Sequence, residues 1–167
     1  MPNADQKPDG MLPDYLRSFL KTPPHLLNSF HYEDVMDYLK LGEEERFENG
    51  DLIIQEGKSI SCSYIIASGT VSVWKEGIQL ALLSEGNVIV ESFLFQRTNT
   101  MDKIQAESTV VALKFERHDV LNFFRKRPGK LFNIFTKNII EIQQKKLHNM
   151  NLQVIQLKKK LLDEKKW

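Results

Sequence analysis

The chain reads as a mainly β protein, a small barrel or sandwich of hairpins with flanking helices, and three observations predict it. Between Glu48 and Glu91 short apolar runs are cut at regular intervals by Gly50-Asp51, Glu56-Gly57, Ser68-Gly69, Glu76-Gly77 and Glu85-Gly86. Spacing of that kind describes strands joined by tight turns. Helical patterns bracket this stretch on both sides, and the 41% apolar composition of the 167 residues suffices for one buried core.

Residues 1–11 are polar, with two prolines and a glycine in the first ten, and are expected to form a disordered leader. Residues 12–128 are expected to form the domain itself. In Leu12 to Leu41 the apolar residues Tyr15, Leu16, Phe19, Leu20, Leu26, Leu27, Phe30, Val35, Met36 and Leu39 are interrupted by Pro23-Pro24, which predicts short helices joined by a proline turn. The predicted strands are Asp51–Gln55, Ser63–Ser68, Thr70–Lys75, Ile78–Ser84, Val88–Glu91, Lys103–Ala106 and Thr109–Phe115. After Glu116 the period becomes helical: Arg117–Arg127 forms a short helix stopped by Pro128-Gly129, and a long helix runs from Lys130 to about Asp163.

That long helix, within a C-terminal segment taken as residues 129–167, carries a heptad seam. Ile140, Gln143, Leu147, Met150, Val154, Leu157 and Leu161 follow one another at alternating intervals of three and four. With Ile140, Leu147, Val154 and Leu161 at position a, two of four are β-branched, which favours a parallel two-stranded coil and predicts a homodimer. The same face also suits packing on the protein's own β unit. Leu152, Ile155 and Leu162 lie off the seam, so one helix has apolar surface for both. The terminal lysines Lys158, Lys159, Lys160, Lys165 and Lys166 read as a solvated face that complements the helix dipole.

Composition excludes several classes. Lys and Arg number 23 against 22 Asp and Glu, so no global field marks a nucleic-acid or membrane binder. One cysteine, Cys62, rules out an internal disulfide, no apolar run reaches the ~20 residues of a membrane span, and the first ten residues lack the pattern of a secretory signal. The chain is therefore expected to be cytoplasmic. His25, His31, His118 and His148 are scattered without metal-ligand spacing, and the sequence has no nucleophile elbow, phosphate loop or dinucleotide fingerprint. No metal, no catalytic residue and no cofactor are expected. Cys62, between two serines at a strand start, reads as a small core or edge residue.

The segment Phe47-Glu48-Asn49-Gly50-Asp51-Leu52-Ile53-Ile54-Gln55-Glu56-Gly57, followed by Ser63-Tyr64-Ile65-Ile66-Ala67-Ser68-Gly69-Thr70-Val71-Ser72-Val73, resembles the opening strands of the cyclic-nucleotide-binding domain family, the sensor domain of catabolite-activator-type regulators. The resemblance spans roughly Leu16 to Leu161 and is most specific at Gly50-Asp51, Glu56-Gly57, Ser68-Gly69 and Gly86. It implies an eight-stranded β-roll of jelly-roll topology, with the long helix beside the ligand pocket and, in the regulators, forming the dimer seam.

In that family a turn and short helix after the sixth strand hold the ligand, with a glutamate on the ribose hydroxyl and an arginine on the cyclic phosphate. The matching segment here is Gly86-Asn87-Val88-Ile89-Val90-Glu91-Ser92-Phe93-Leu94-Phe95. Glu91 falls on the ribose-binding glutamate; its other reading is a cap for a short helix at Ser92–Phe95. Val90 stands where the family has glycine, and Thr100 replaces the phosphate-binding arginine. Arg97 and Lys103, three positions to either side, are the cations within reach of a rearranged loop, and Ser92, Thr98 and Thr100 supply hydroxyls. Lysine gives charge without the bidentate fork of arginine. Losing one charge-assisted contact costs on the order of 1.5 to 3 kcal/mol, about ten- to a hundred-fold in affinity.

The resemblance thus implies a regulatory module with a divergent pocket that takes cyclic AMP, cyclic GMP or another small anion, dimeric through Ile140, Leu147, Met150, Val154, Leu157 and Leu161. Two alternatives stay open. One is a degenerate domain acting as a protein-interaction scaffold; the other is the sensor part of a transcription regulator. The family's regulators carry a helix-turn-helix after the long helix, for which Trp167 leaves no room, so direct DNA binding is not expected.

Overall fold

The computed structural model describes residues 13–95, 100 and 102–164. The expected leader, residues 1–11, lies outside them. The helices are α1 (Asp14–Lys21), α2 (Tyr32–Leu39), α3 (Arg117–Arg125) and α4 (Gly129–Glu164), with a single 3-10 turn at His25–Leu27. The strands are β1 (Glu43–Phe47), β2 (Leu52–Ile54), β3 (Cys62–Ser68), β4 (Val71–Lys75), β5 (Ile78–Leu83), β6 (Val88–Ile89), β7 (Lys103–Ala106) and β8 (Val110–Glu116). They form two antiparallel four-stranded sheets, ordered β1-β8-β3-β6 and β2-β7-β4-β5. This is the expected mainly β architecture with flanking helices and a long C-terminal helix.

Seven of the eight strands match predicted ones, and the eighth, β1, was not expected. Its sequence, Glu43-Glu44-Glu45-Arg46-Phe47, has no apolar alternation and instead pairs in register with β8 from Glu43 opposite Lys114 to Phe47 opposite Val110. Lys114 bridges Glu45 at 3.5 Å and Glu116 at 3.2 Å, so cross-strand charge does there what side-chain burial does elsewhere. The five turn glycines of the β unit all adopt positive φ, from +77° to +92°.

Burial follows a three-layer order. β3 is buried along Cys62–Ala67 because both its faces are covered. Tyr64 and Ile66 point between the sheets with Ile54, Ile89, Ile104, Val110 and Ala112, while Ile65 and Ala67 face the helices with Leu113 and Phe115. The helical layer centres on Tyr38, fully buried, with ring centroids of Phe115 at 5.0 Å, Phe123 at 5.4 Å and Phe135 at 5.7 Å. Arg127 stacks 3.6 Å over Phe123 and pairs with Asp34 at 3.3 Å and Asp37 at 2.8 Å, which ties the end of α3 to α2. Cys62 is buried between the sheets; burial there pushes its thiol pKa up, which makes it less nucleophilic.

Helix α4 sets the geometry that matters for function. Its 36 residues span ~54 Å at about 1.5 Å per residue. Leu131, Phe135 and Ile139 anchor its first half in the helical core, and buried Asn138 donates to Leu26 O at 3.0 Å and Asn28 O at 2.8 Å. Every residue from Leu147 to Glu164 is exposed. No described helix is long and apolar enough to cross a membrane.

Candidate ligand site

Between the second sheet and the middle of α4 lies a cavity of ≈ 710 Å³. The sheet wall is Ile54, Val73, Leu83 and Ile104 of the second sheet with Ile89 of β6 from the first, and the helix wall is Ile139, Ile140, Gln143, Gln144, Lys146, Leu147 and Met150. Strand alternation puts Ile104 inward and leaves Lys103 and Gln105 on the other face of β7. Val90, Glu91, Ser92, Thr100 and Asp102 close the side. Its volume lies within the range of small-molecule sites, and its make-up, apolar walls with a few convergent polar groups, is theirs too.

The most constrained of those polar groups is Glu91. β6 ends at Ile89, Val90 takes φ +59°, and the chain turns back through Phe93 N–H to Val90 O at 3.1 Å and Phe95 N–H to Ser92 O at 2.9 Å. A β-branched residue is strained there; Val90 is held by packing against both apolar clusters. This reversal buries Glu91 to 3% exposure beneath α4. Its Oε1 accepts from Gln143 Nε2 at 2.8 Å and Lys146 Nζ at 2.5 Å. Gln143 and Lys146 are three residues apart on one helical face, so a single turn of α4 delivers both donors. The segment after Glu91 forms turns and no helix, so the expected cap at Ser92–Phe95 is corrected: the carboxylate is spent on α4.

The other expected site residues fall in three groups. Ser92 and Thr100 join Glu91 on the lining. Thr100 is also the clasp of the β2–β3 loop: its hydroxyl lies 2.6 Å from Gln55 O and 3.1 Å from Lys58 O, and its backbone pairs with Gly57 N–H and Lys58 O. Lys103 is not on the cavity; its ammonium sits 5.0 Å from the Trp74 ring centroid and 3.3 Å from Gln105 Oε1. Arg97 and Thr98 lie outside the described residues. Sequence reasoning missed Lys146 and Asp102 and assigned Gln143 to the helix seam alone. The signal in the sequence was Gln143 itself, the one polar residue in an otherwise apolar seam.

Ile140, Leu147 and Met150 belong both to the cavity lining and to the heptad spacing of α4. They are 52%, 59% and 57% exposed. Val154, Leu157 and Leu161 continue that stripe, each close to half exposed or more. Among the described residues, no cluster of His, Cys, Asp and Glu has the geometry to hold a metal ion.

Eight strands in two antiparallel sheets under a helical layer, with a cavity lined by the last helix, form a β-roll. The family model of the cyclic nucleotide-binding domain matches residues 44–127, and the chain belongs to that family. Solved structures agree on the fold. The catabolite activator protein of Thermus thermophilus is 22% identical with a TM-score of 0.67 over 80% of this chain and 63% of its own. The c-di-GMP-responsive global regulator CLP of Xanthomonas campestris is 14% identical with a TM-score of 0.68, covering 76% of this chain and 64% of that one. The sensor domain of the transcriptional regulator DNR of Pseudomonas aeruginosa is 16% identical with a TM-score of 0.59 over 83% and 91%. The chain therefore spans less than two thirds of the two full regulators. No curated protein matches the sequence.

Proposed function

We propose that the protein is a non-enzymatic sensor module: it holds a small anionic ligand, of which cyclic AMP and cyclic GMP are the family's examples, in the cavity under α4, and it dimerises through the exposed stripe of the same helix. One observation carries this reading. The buried carboxylate of Glu91, at the position of the family's ribose contact, lines a ligand-sized cavity whose opposite wall is the helix that also bears the heptad seam. Occupancy and helix position are thereby linked through shared residues, as a sensor requires. The domain is taken as residues 12–128 and the dimerisation segment as 129–167, acting in the cytoplasm.

Calorimetric titration with cyclic AMP and cyclic GMP at low salt tests the ligand half. Saturable heat in the micromolar range, lost in Glu91→Ala, supports it. No heat up to millimolar ligand contradicts it for cyclic nucleotides. The long exposed apolar stripe beyond Leu147 would then favour the second reading, a protein-interaction scaffold.

A further inference from the structure

The charged groups of the cavity are unevenly placed. Asp102, just before β7, closes the side of the cavity; Lys146 is on the helix wall and is the one cation among the described lining residues. An ammonium has three N–H donors, and Lys146 commits one to Glu91 Oε1. Its side chain is 42% exposed while that of Glu91 is 4% exposed, so Lys146 is the accessible member of the pair on the cavity lining. Glu91 in turn receives a second donor from Gln143 on the same oxygen. That amide shares the work of satisfying the carboxylate.

Thr100 stands where the family's arginine would meet an anion, and its hydroxyl is turned to the carbonyls of Gln55 and Lys58. Asp102 near that wall repels an acid, and Lys146 across from it attracts one. Apart from these two charges, Glu91 and the uncharged polar Ser92, Thr100, Gln143 and Gln144, the lining is apolar, with Ile54, Val73, Leu83, Ile104, Leu147 and Met150 its bulk.

We infer that Lys146 is the anion-receiving group of this cavity, and that its ligand class is a small amphipathic acid whose apolar body fills the aliphatic chamber and whose acidic group meets the Lys146 ammonium beside Glu91. This rests on the reading of the cavity as a ligand site. It reverses the polarity expected from the sequence, placing the anion on the helix wall and away from the loop that carries Thr100.

Two fluorescent probes with one ring system separate the two claims: anilinonaphthalene sulfonate, an apolar body with one acid group, and phenylnaphthylamine, the same body uncharged. With the full chain, both should bind and displace one another, the sulfonate more tightly. Lys146→Gln should weaken the sulfonate about ten-fold or more and leave the neutral probe within about two-fold, while Lys146→Arg retains sulfonate binding. Thermal unfolding of each variant confirms that the fold is kept. An unchanged sulfonate affinity in Lys146→Gln, equal losses for both probes, or failure of the probes to compete would overturn the assignment and leave the cavity a ligand site. Absence of binding by both probes would overturn this inference, while the ligand half of the proposed function stands or falls on the cyclic-nucleotide titration.

Discussion

Gly69 and Gly86 share a left-handed backbone, with φ of +89° and +81°, and differ in what surrounds them. A Cβ at Gly69 would lie 2.4 Å from Thr109 O, whereas one at Gly86 would meet nothing within 4 Å. The left-handed conformation alone costs a side chain about 1–2 kcal/mol. Gly86→Ala should therefore lower stability by about 1 kcal/mol, and Gly69→Ala by about 3 kcal/mol once backbone must move. Urea unfolding midpoints compare the two, and equal losses would contradict the crowding argument. At this scale the turns were legible, because a glycine between apolar runs reports a backbone requirement directly. Lys146 was not: within α4 it is one lysine among many on a solvated face, and only the fold brings it to Glu91, 55 residues away in sequence.

Among the elements, β1 is held by contacts that its composition hides. Its Glu44 accepts a hydrogen bond from the Tyr15 hydroxyl of α1 at 2.8 Å. Burial, then that bond, pushes Tyr15 from 10.0 up to about 12. The same bond, with Arg46 behind it, holds Glu44 below its ordinary 4.5. A raised Tyr15 contributes stability in full below pH 10.0 and loses it as pH climbs toward about 12. A lowered Glu44 contributes above 4.5 and loses it as pH falls below that value. Tyr15→Phe should reduce the alkaline part of the stability loss, leaving the share of Tyr38 and Tyr64, which burial also raises, read from denaturation midpoints against pH; an identical alkaline slope in that variant would show that the joint does not titrate. α4 was the most legible element, since a seam of threes and fours is written in its apolar residues. The structure shows the stripe exposed beyond Leu147, where no described part of the chain covers it. Replacing Leu147 and Val154 by glutamate should halve the mass seen by sedimentation equilibrium; a monomeric parent, or a variant that stays dimeric, would refute the seam.

For the whole molecule, the fold class was readable because strands, turns and helices each leave a local periodicity, and two sheets under a helical layer are what such a string can bury. The cavity was not readable, since it depends on where α4 crosses the second sheet. That crossing is fixed at one end by Asn138 on the 3-10 turn and at the other by Gln143 and Lys146 on Glu91. Under the proposed function, the half of α4 beyond these anchors is the segment through which cavity contents would reach the seam. The measurement that tests this most directly is a methyl-resolved NMR titration of the protein with cyclic AMP. A ligand in the cavity predicts shifts that saturate together at Ile89, Ile104, Ile139 and Met150, on both walls. Unmoved methyl signals at those four residues through millimolar ligand, or shifts confined to the exposed end of α4, would contradict it.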